Sequence, residues 1–311
     1  MNMNKVSIVL PTYNGARYIR AALDSTLSQT YNNFELIVVD GGSKDGTLEI
    51  LASYQDPRLS LVHQPANTGR LPGALNLGFQ RASGAYLTWM QDDDIYEPAA
   101  IETLANYLHE HPQVDMVYSD YWWIDEHGSK LRLEVVPPPA ELRVRNCIGH
   151  FFMYRRSIQD RIGLYDPAYF MAEDYEYWLR VSQKHVLQPV AYPLYQYRAH
   201  PGSLTFKDYG KYLALRVCAK ARYRWLRTGR RAYLREMAEA YIGEAFYCAQ
   251  NRDFSHCRGA LLRGLMHNPG WLSNRGVVSL LAQTLLGYQP RRRESGVAET
   301  RKVRENHDAE G

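Results

Sequence analysis

The chain has 311 residues, 45% apolar residues and a net charge of +4, which fit one large globular domain with an appendage, or two domains. Its four cysteines have no paired or metal-type spacing, which argues against a disulfide scaffold and predicts reduced thiols in a cytosolic protein. Residues 1–205 carry 17 Lys and Arg against 23 Asp and Glu, whereas residues 206–311 carry 20 against 10, so two different modules are expected.

The N-terminal segment predicts a strand, a loop and a helix. Residues 6–10 are apolar and mostly β-branched, a run too short for a signal peptide or a membrane span. The loop at 11–15 reads Pro-Thr-Tyr-Asn-Gly, in which Pro and Asn-Gly interrupt regular structure. Residues 16–30 then place apolar side chains at helical spacing.

The same alternation continues along the first third of the chain. Strands are predicted at 34–40, 59–63 and 85–90, with helices after Thr47 and at 71–82. Strands and helices that alternate at this length predict an α/β fold with a mostly parallel sheet flanked by helices. Ligands bind outside the carboxyl ends of such strands, where residues 11–14, Asp40 and residues 92–94 would lie together.

Three consecutive aspartates, Asp92, Asp93 and Asp94, follow the predicted fourth strand. Carboxylates this close repel one another unless a cation neutralises them, and Mg²⁺ or Mn²⁺ prefers oxygen ligands that substrate phosphates complete. The alternative interpretation is a solvated acidic turn in which Asp94 or Glu97 caps the next helix.

The rest of the first module alternates less regularly. A helix is predicted at 98–111, strands at 116–124, 130–135 and 148–154, a helix at 173–184, and two more strands at 186–190 and 195–198. Three prolines at 137–139 predict an extended loop. This first module is therefore expected to span residues 1–205.

Residues 206–290 predict a helical extension, and the charged residues 291–311 a disordered tail. Six positions fall at the offsets of a tetratricopeptide-type hairpin, although an ordinary helical appendage explains them equally well. These are Tyr241, Ala245, Cys257, Leu261, Gly264 and Pro269. The apolar run 277–286 can lie in a membrane interface but cannot cross a membrane. The basic half could bind nucleic acid, anionic lipid or a polyanionic substrate, or it could be a solvated helical surface with no partner.

Together these motifs resemble the family 2 glycosyltransferases with the GT-A type, Rossmann-like fold. The segments that carry the resemblance are 6–15, 24–31, 35–47, the aspartate cluster, 172–180 and 197–203. They cover about residues 5–205, and the resemblance extends to no part of the helical extension. Gln91 stands where many members have the first aspartate of the metal motif, which weakens the assignment of that first contact.

The resemblance implies a role for particular side chains. The nucleotide-binding residues would be Pro11, Thr12, Tyr13, Asn14, Asp40, Arg70 and Asp92. Asp93 would hold a Mg²⁺ or Mn²⁺ ion with His200, although a histidine before a proline can equally be structural. Asp174 would be the catalytic base, and Glu173, His150 and Trp122 would face the acceptor.

The implied reaction is inverting transfer of a sugar from a nucleoside diphosphate sugar, a UDP-sugar foremost, to a glycan or lipid-linked acceptor. It implies a cytoplasmic enzyme of surface polysaccharide or glycoconjugate synthesis, peripheral at the inner face of the membrane, with no nucleic acid as partner. Two alternatives remain at this stage. One is a nucleotidyltransferase, although the glycine-rich phosphate loop usual there is absent from 11–15. The other is a nucleic-acid-binding or scaffold protein that uses the basic helical half.

Overall fold

The structure, a computed structural model, describes residues 4–64, 70–143, 146–203, 230–250 and 253–286. Strands and helices alternate up to residue 198, and helices follow from residue 230. The strands are β1 (Val6–Thr12), β2 (Phe34–Asp40), β3 (Leu59–His63), β4 (Tyr86–Trp89), β5 (Ile95–Tyr96), β6 (Met116–Ile124), β7 (Lys130–Glu134), β8 (Phe152–Arg155) and β9 (Leu187–Arg198). The helices are α1 (Ile19–Leu27), α2 (Thr47–Ala52), α3 (Leu71–Arg81), α4 (Ala100–Glu110), α5 (Arg156–Ile162), α6 (Glu173–Val181), α7 (Arg230–Gln250), α8 (Phe254–His267) and α9 (Arg275–Leu286).

One sheet organises the α/β part, in the order β3-β2-β1-β4-β8-β6-β9-β5, with β7 paired to β6. The strands β3, β2, β1 and β4 are parallel, which confirms the predicted α/β architecture. The register pairs Thr12 with Asp40, and Asp40 with His63. The carboxyl ends of these strands therefore meet at one edge. The second half of the sheet is mixed, since β8 is antiparallel to β4 and β6 while β9 is parallel to β6.

The sheet is held by a continuous apolar core. Every residue of β1 is buried, and Ile8 and Val38 are fully inaccessible to solvent. Strands buried on both faces favour such apolar, β-branched runs, because helices cover the two sides of a parallel sheet. Trp178 of α6 and Phe152 of β8 extend this core, with ring centroids 4.4 Å apart.

Some predicted strand boundaries need correction. The strand expected at 148–154 is β8, Phe152–Arg155, so residues 146–151 form a loop before it. The two strands expected at 186–190 and 195–198 are one strand, β9, whose register shifts opposite Asp120, where Pro193 is paired. A proline is tolerated inside a strand at such an irregularity, since it has no N–H to donate there. The short elements β5 and α5 were not predicted.

The described C-terminal helices form a second apolar cluster. Helices α7 and α8 pack side by side, and an added Cβ at Gly264 would lie 2.8 Å from Ile242, so the glycine allows their close approach. The basic residues between 207 and 227 and the predicted disordered tail lie outside the described residues. Within the described ranges, no helix combines the length and apolar character needed to cross a bilayer.

Candidate active site

A cavity of about 620 Å³ opens at the edge of the sheet where β1 and β4 end. Its wall comes from the loops after these two strands, the first residues of α3 and the segment after β9. The predicted site residues in this wall are Pro11, Thr12, Tyr13, Asn14, Arg70, Asp92, Asp93 and His200. The remaining predicted residues lie outside the described wall, namely Asp40, His150, Trp122, Glu173 and Asp174.

The loop after β1 is tied to the loop after β2. The Asn14 side chain accepts a hydrogen bond from the Lys44 backbone N–H, and the Asn14 backbone N–H donates to Ser43 Oγ. Asn14 has a φ of 54°, a left-handed conformation that asparagine tolerates better than most residues. Tyr13 stays 54% exposed beside the cavity, so a flat ligand ring can stack on it.

The Asp40 carboxylate is buried and faces its own loop. It accepts hydrogen bonds from the Gly42 backbone N–H and from the Ser43 hydroxyl. The adjoining Gly41 lines the cavity. In this arrangement Asp40 holds the loop after β2, whose first residue lines the cavity, in shape.

Asp92 is held against the first loop. Its carboxylate accepts a hydrogen bond from Thr12 Oγ1, and a Cβ added at Gly15 would lie 2.2 Å from Asp92 Oδ2. Only glycine therefore leaves room for this contact. Burial and the neighbouring Asp93 carboxylate raise the pKa of Asp92 to about 7.

Asp93 is the acid whose surroundings fit a metal ion. Its Oδ2 lies 2.8 Å from His200 Nε2, while its buried Oδ1 has no hydrogen-bond partner among the described residues. No group of three or more His, Cys, Asp or Glu side chains arranged for a metal occurs in the described part of the chain. One or two protein ligands are nevertheless what Mg²⁺ sites use when substrate phosphates complete the coordination. Asp93 and His200 therefore fit such an ion.

Glu173 and Asp174 begin helix α6. Asp174 Oδ2 accepts a hydrogen bond from Asn146 Nδ2 at 2.7 Å, which fixes its orientation. Glu173 accepts from the Met171 backbone N–H. Burial, together with the Asp174 carboxylate, raises the pKa of Glu173 to about 8, so Glu173 is mostly protonated at neutral pH.

The two predicted acceptor aromatics lie apart. The His150 ring stacks on Tyr197, with centroids 3.6 Å apart and planes 12° apart. Burial lowers the pKa of His150 to about 3, so the ring is neutral. Trp122 and Trp123 are neighbours on β6 and point to opposite faces of the sheet. Trp123 has the contact with His150, and Trp122 instead contacts Lys130.

A sequence model of the family described as "Glycosyl transferase family 2" matches residues 7–163. The chain belongs to this family. The matched span contains the β1 loop, Asp40 and the three aspartates, and ends before Asp174 and His200. The roles of those last two residues therefore depend on geometry rather than on the family match.

Curated relatives of this family 2 chain are named as glycosyltransferases. An uncharacterized glycosyltransferase of Rickettsia felis is 36% identical over 57% of the chain and 31% of its own length. One of Rickettsia prowazekii is 36% identical over 56% of the chain and 58% of its own length. The PGL/p-HBAD biosynthesis glycosyltransferase of Mycobacterium bovis is 33% identical over 56% and 68%. The chain thus spans about a third to three fifths of the length of the first two.

Solved structures share the fold over most of the chain. The UDP-GlcNAc complex of TarS residues 1–349 from S. aureus has a TM-score of 0.62 at 16% identity, over 92% of this chain and 93% of TarS 1–349. The mannosyltransferase PcManGT of Pyrobaculum calidifontis, in complex with GDP-Man and Mn²⁺, has a TM-score of 0.56 at 20% identity, over 93% and 82%. At these identities the likeness establishes the fold.

Sequence reasoning missed two residues that build the site of this family 2 chain. Asp94 is fully buried and accepts hydrogen bonds from the Arg198 backbone N–H and the Tyr195 hydroxyl. Arg198 is 4% exposed and donates to the backbone carbonyls of Asp93 and Asp125. Together they fasten the aspartate loop to β9. The sequence signals were the place of Asp94 in the aspartate cluster and that of Arg198 two residues before His200.

Proposed function

We propose that the protein is an inverting glycosyltransferase that moves a sugar from a nucleoside diphosphate sugar to an acceptor hydroxyl. The observation that carries this proposal is the buried Oδ1 of Asp93, which has no hydrogen-bond partner among the described residues and belongs to the wall of a cavity formed by strand ends. Membership of family 2 supports the reaction class. Solved structures of similar fold contain UDP, UDP-GlcNAc or GDP-Man, which supports a nucleotide sugar as donor, with UDP-sugars as the first candidates.

The nucleotide would lie along the β1 loop. Tyr13 would stack on the base, and Thr12 and Asn14 would form the floor beside it. Arg70, the residue before α3, would contact the base or a phosphate. Asp92 would face the ribose, and Pro11 and Asp40 would hold the two loops in shape.

Asp93, with His200, would bind Mg²⁺ or Mn²⁺. A bound divalent cation offsets the negative charge that grows on a leaving diphosphate. The PcManGT structure contains Mn²⁺, which supports a metal in this fold. The contact between His200 and Asp93 fixes the direction of one carboxylate oxygen and leaves the other unpaired.

Asp174 would act as the general base. The acceptor hydroxyl oxygen attacks the anomeric carbon, the bond from that carbon to the diphosphate oxygen breaks, and the hydroxyl proton passes to the Asp174 carboxylate. Asn146 holds Asp174 in one orientation. Because Glu173 is mostly protonated at neutral pH, it can donate a hydrogen bond to an acceptor oxygen.

The acceptor would be a glycan or a lipid-linked sugar in surface polysaccharide or glycoconjugate synthesis. The Mycobacterium bovis relative, named for PGL/p-HBAD biosynthesis, supports this class. Of the two predicted acceptor residues, His150 would contact the acceptor, whereas Trp122 lies on the opposite face of β6 from the Trp123 side chain that meets His150. The protein would work in the cytoplasm, held at the inner face of the membrane by the basic residues of 206–311, each worth about 1 kcal/mol near an anionic leaflet.

Membrane attachment can be tested by co-sedimentation with liposomes. Binding that rises with anionic lipid and falls with salt is expected. Equal recovery in the supernatant with neutral and anionic vesicles at low salt would contradict attachment.

The reaction is tested by screening nucleotide sugars for release of nucleoside diphosphate, with and without Mn²⁺. Metal-dependent release from one donor class is expected. A nucleotidyltransferase would release pyrophosphate instead. A nucleic-acid-binding scaffold would release nothing and would show binding with a steep salt dependence.

A further inference from the structure

Tyr18, one residue before helix α1, is a cavity residue without an assigned role. Its ring lines the cavity and is partly exposed. Its hydroxyl oxygen is buried and has no hydrogen-bond partner among the described residues. A buried hydroxyl without a partner destabilises a protein by about 1–3 kcal/mol, so this hydroxyl calls for a partner that the described chain does not supply.

Unpaired buried atoms are concentrated at this cavity. Eight buried side-chain atoms lack a partner in the described part of the chain, and three of them belong to wall residues, namely Tyr18 Oη, Asp93 Oδ1 and Ser203 Oγ. The hydroxyls of Tyr96 and Tyr177, in contrast, lie away from the wall. The wall thus offers two hydroxyl donors and one carboxylate acceptor to a ligand.

Basic side chains surround the Tyr18 ring. The guanidinium carbons of Arg17 and Arg198 lie 4.9 Å and 4.7 Å from the ring centroid, and the His200 ring centroid lies 4.9 Å away. The two guanidinium groups favour an anionic oxygen as the partner of the hydroxyl. The Arg17 side chain is 61% exposed, and its ion pair with Glu126 is a surface pair of the weak, exchangeable kind, so Arg17 can shift toward a bound anion.

We propose that the Tyr18 hydroxyl donates a hydrogen bond to a phosphoryl oxygen of the bound nucleoside diphosphate. This inference rests on the proposed function and adds to it a binding residue from the start of α1. Tyr18 contacts His200, which in turn contacts Asp93, so the proposed hydrogen bond would lie at the Asp93 end of the cavity. The hydrogen bond forms only in the complex.

The test is calorimetric titration of UDP, GDP and the corresponding nucleosides into the parent protein and Tyr18→Phe. Because Tyr18→Phe removes a hydrogen bond to a charged oxygen, its affinity for the diphosphate is expected to fall about tenfold or more. Nucleoside affinity is expected to stay unchanged, because nucleosides carry no phosphate. The melting temperature is expected to stay level or to rise, because the phenylalanine removes an unpaired buried hydroxyl.

Tyr96→Phe and Tyr177→Phe are the controls, since each removes a buried tyrosine hydroxyl away from the cavity wall. They are expected to bind diphosphate like the parent. Parental diphosphate affinity in Tyr18→Phe would overturn the inference while leaving the proposed function intact. An equal loss for diphosphate and nucleoside would also overturn it, since it would indicate a general disturbance. A parent protein that binds neither diphosphate would instead overturn the proposed function, and this inference with it.

Discussion

Replacing Asp94 and Asp93 in turn distinguishes an aspartate that stabilises the fold from the one that is proposed to bind a metal ion. Asp94 Oδ1 accepts from the Arg198 backbone N–H at 2.8 Å, and Oδ2 accepts from the Tyr195 hydroxyl at 2.9 Å. Burial, together with the neighbouring Asp93 carboxylate, raises the pKa of Asp94 well above its usual range. An amide of the same shape can accept from the Arg198 backbone N–H and donate to the Tyr195 oxygen, so Asp94→Asn is expected to melt within a few degrees of the parent and to remain active.

Asp94→Leu removes both acceptors. Two buried donors are left unpaired at about 1–3 kcal/mol each, so the expected loss is about 4 kcal/mol. In a chain of this size that corresponds to roughly 10 °C in melting temperature. Thermal unfolding followed by circular dichroism measures this shift, and release of nucleoside diphosphate from the donor sugar measures activity in the same preparations.

Asp93→Asn is the matched comparison and is expected to show the reverse pattern. Asp93 Oδ1 has no partner among the described residues, and an asparagine can keep its amide oxygen toward His200, so the replacement is expected to leave stability nearly unchanged while turnover falls. If Asp94→Asn lost as much turnover as Asp93→Asn without a change in melting temperature, Asp94 would contact the ligand and the division of roles would be wrong.

Three further changes probe other parts of the site. Gly15→Ala places a Cβ 2.2 Å from Asp92 Oδ2 and is expected to weaken nucleoside diphosphate binding about tenfold in calorimetric titrations. The control is Gly259→Ala, whose Cβ meets open space and which is expected to bind like the parent. Equal affinities in the two variants would contradict the close approach of Gly15 to Asp92. Asp174→Asn is expected to lower turnover about a thousandfold with diphosphate binding intact, and a parental rate would exclude it as the base. Glu173 has a pKa raised from 4.5 to about 8, so the folded protein binds more protons than the unfolded chain in that window and parental stability falls as pH rises through it. Glu173→Gln is expected to lessen that fall in melting scans from pH 5 to 9 with chelator, and a slope equal to the parent's would refute the shifted pKa.

Local pattern was enough to predict the parallel half of the sheet and the edge where the site forms. Buried runs such as those of β1 and β2 have one regular interpretation, and the carboxyl ends of parallel strands must meet. The Thr12 and Asp92 side chains came together as that rule requires. The aspartate cluster lies after β4 as the pattern predicted, with Asp92 and Asp93 in the cavity wall.

The distinctions inside the cluster depended on residues far away in the chain. Asp94 differs from Asp93 because its partners are Tyr195 and Arg198, about a hundred residues later, and no local pattern reports that pairing. Trp122 and Trp123 also depend on distant residues for their roles. The alternation of side chains along a strand places them on opposite faces of the sheet, but only the pairing of β6 with β9 decides which of them meets His150. Long-range register, rather than residue type, assigned these roles.

The measurement closest to the central claim is calorimetric titration of UDP and GDP into the parent protein and Asp93→Asn, with Mn²⁺ and with excess chelator. The parent is expected to bind either UDP or GDP at least tenfold more tightly with Mn²⁺ than with chelator. The reason is that Asp93 Oδ1, which has no partner among the described residues, and the phosphates would share the ion. Asp93→Asn is expected to bind equally weakly in both conditions. Parental affinity that does not change between Mn²⁺ and chelator would contradict a metal-assisted diphosphate site at Asp93.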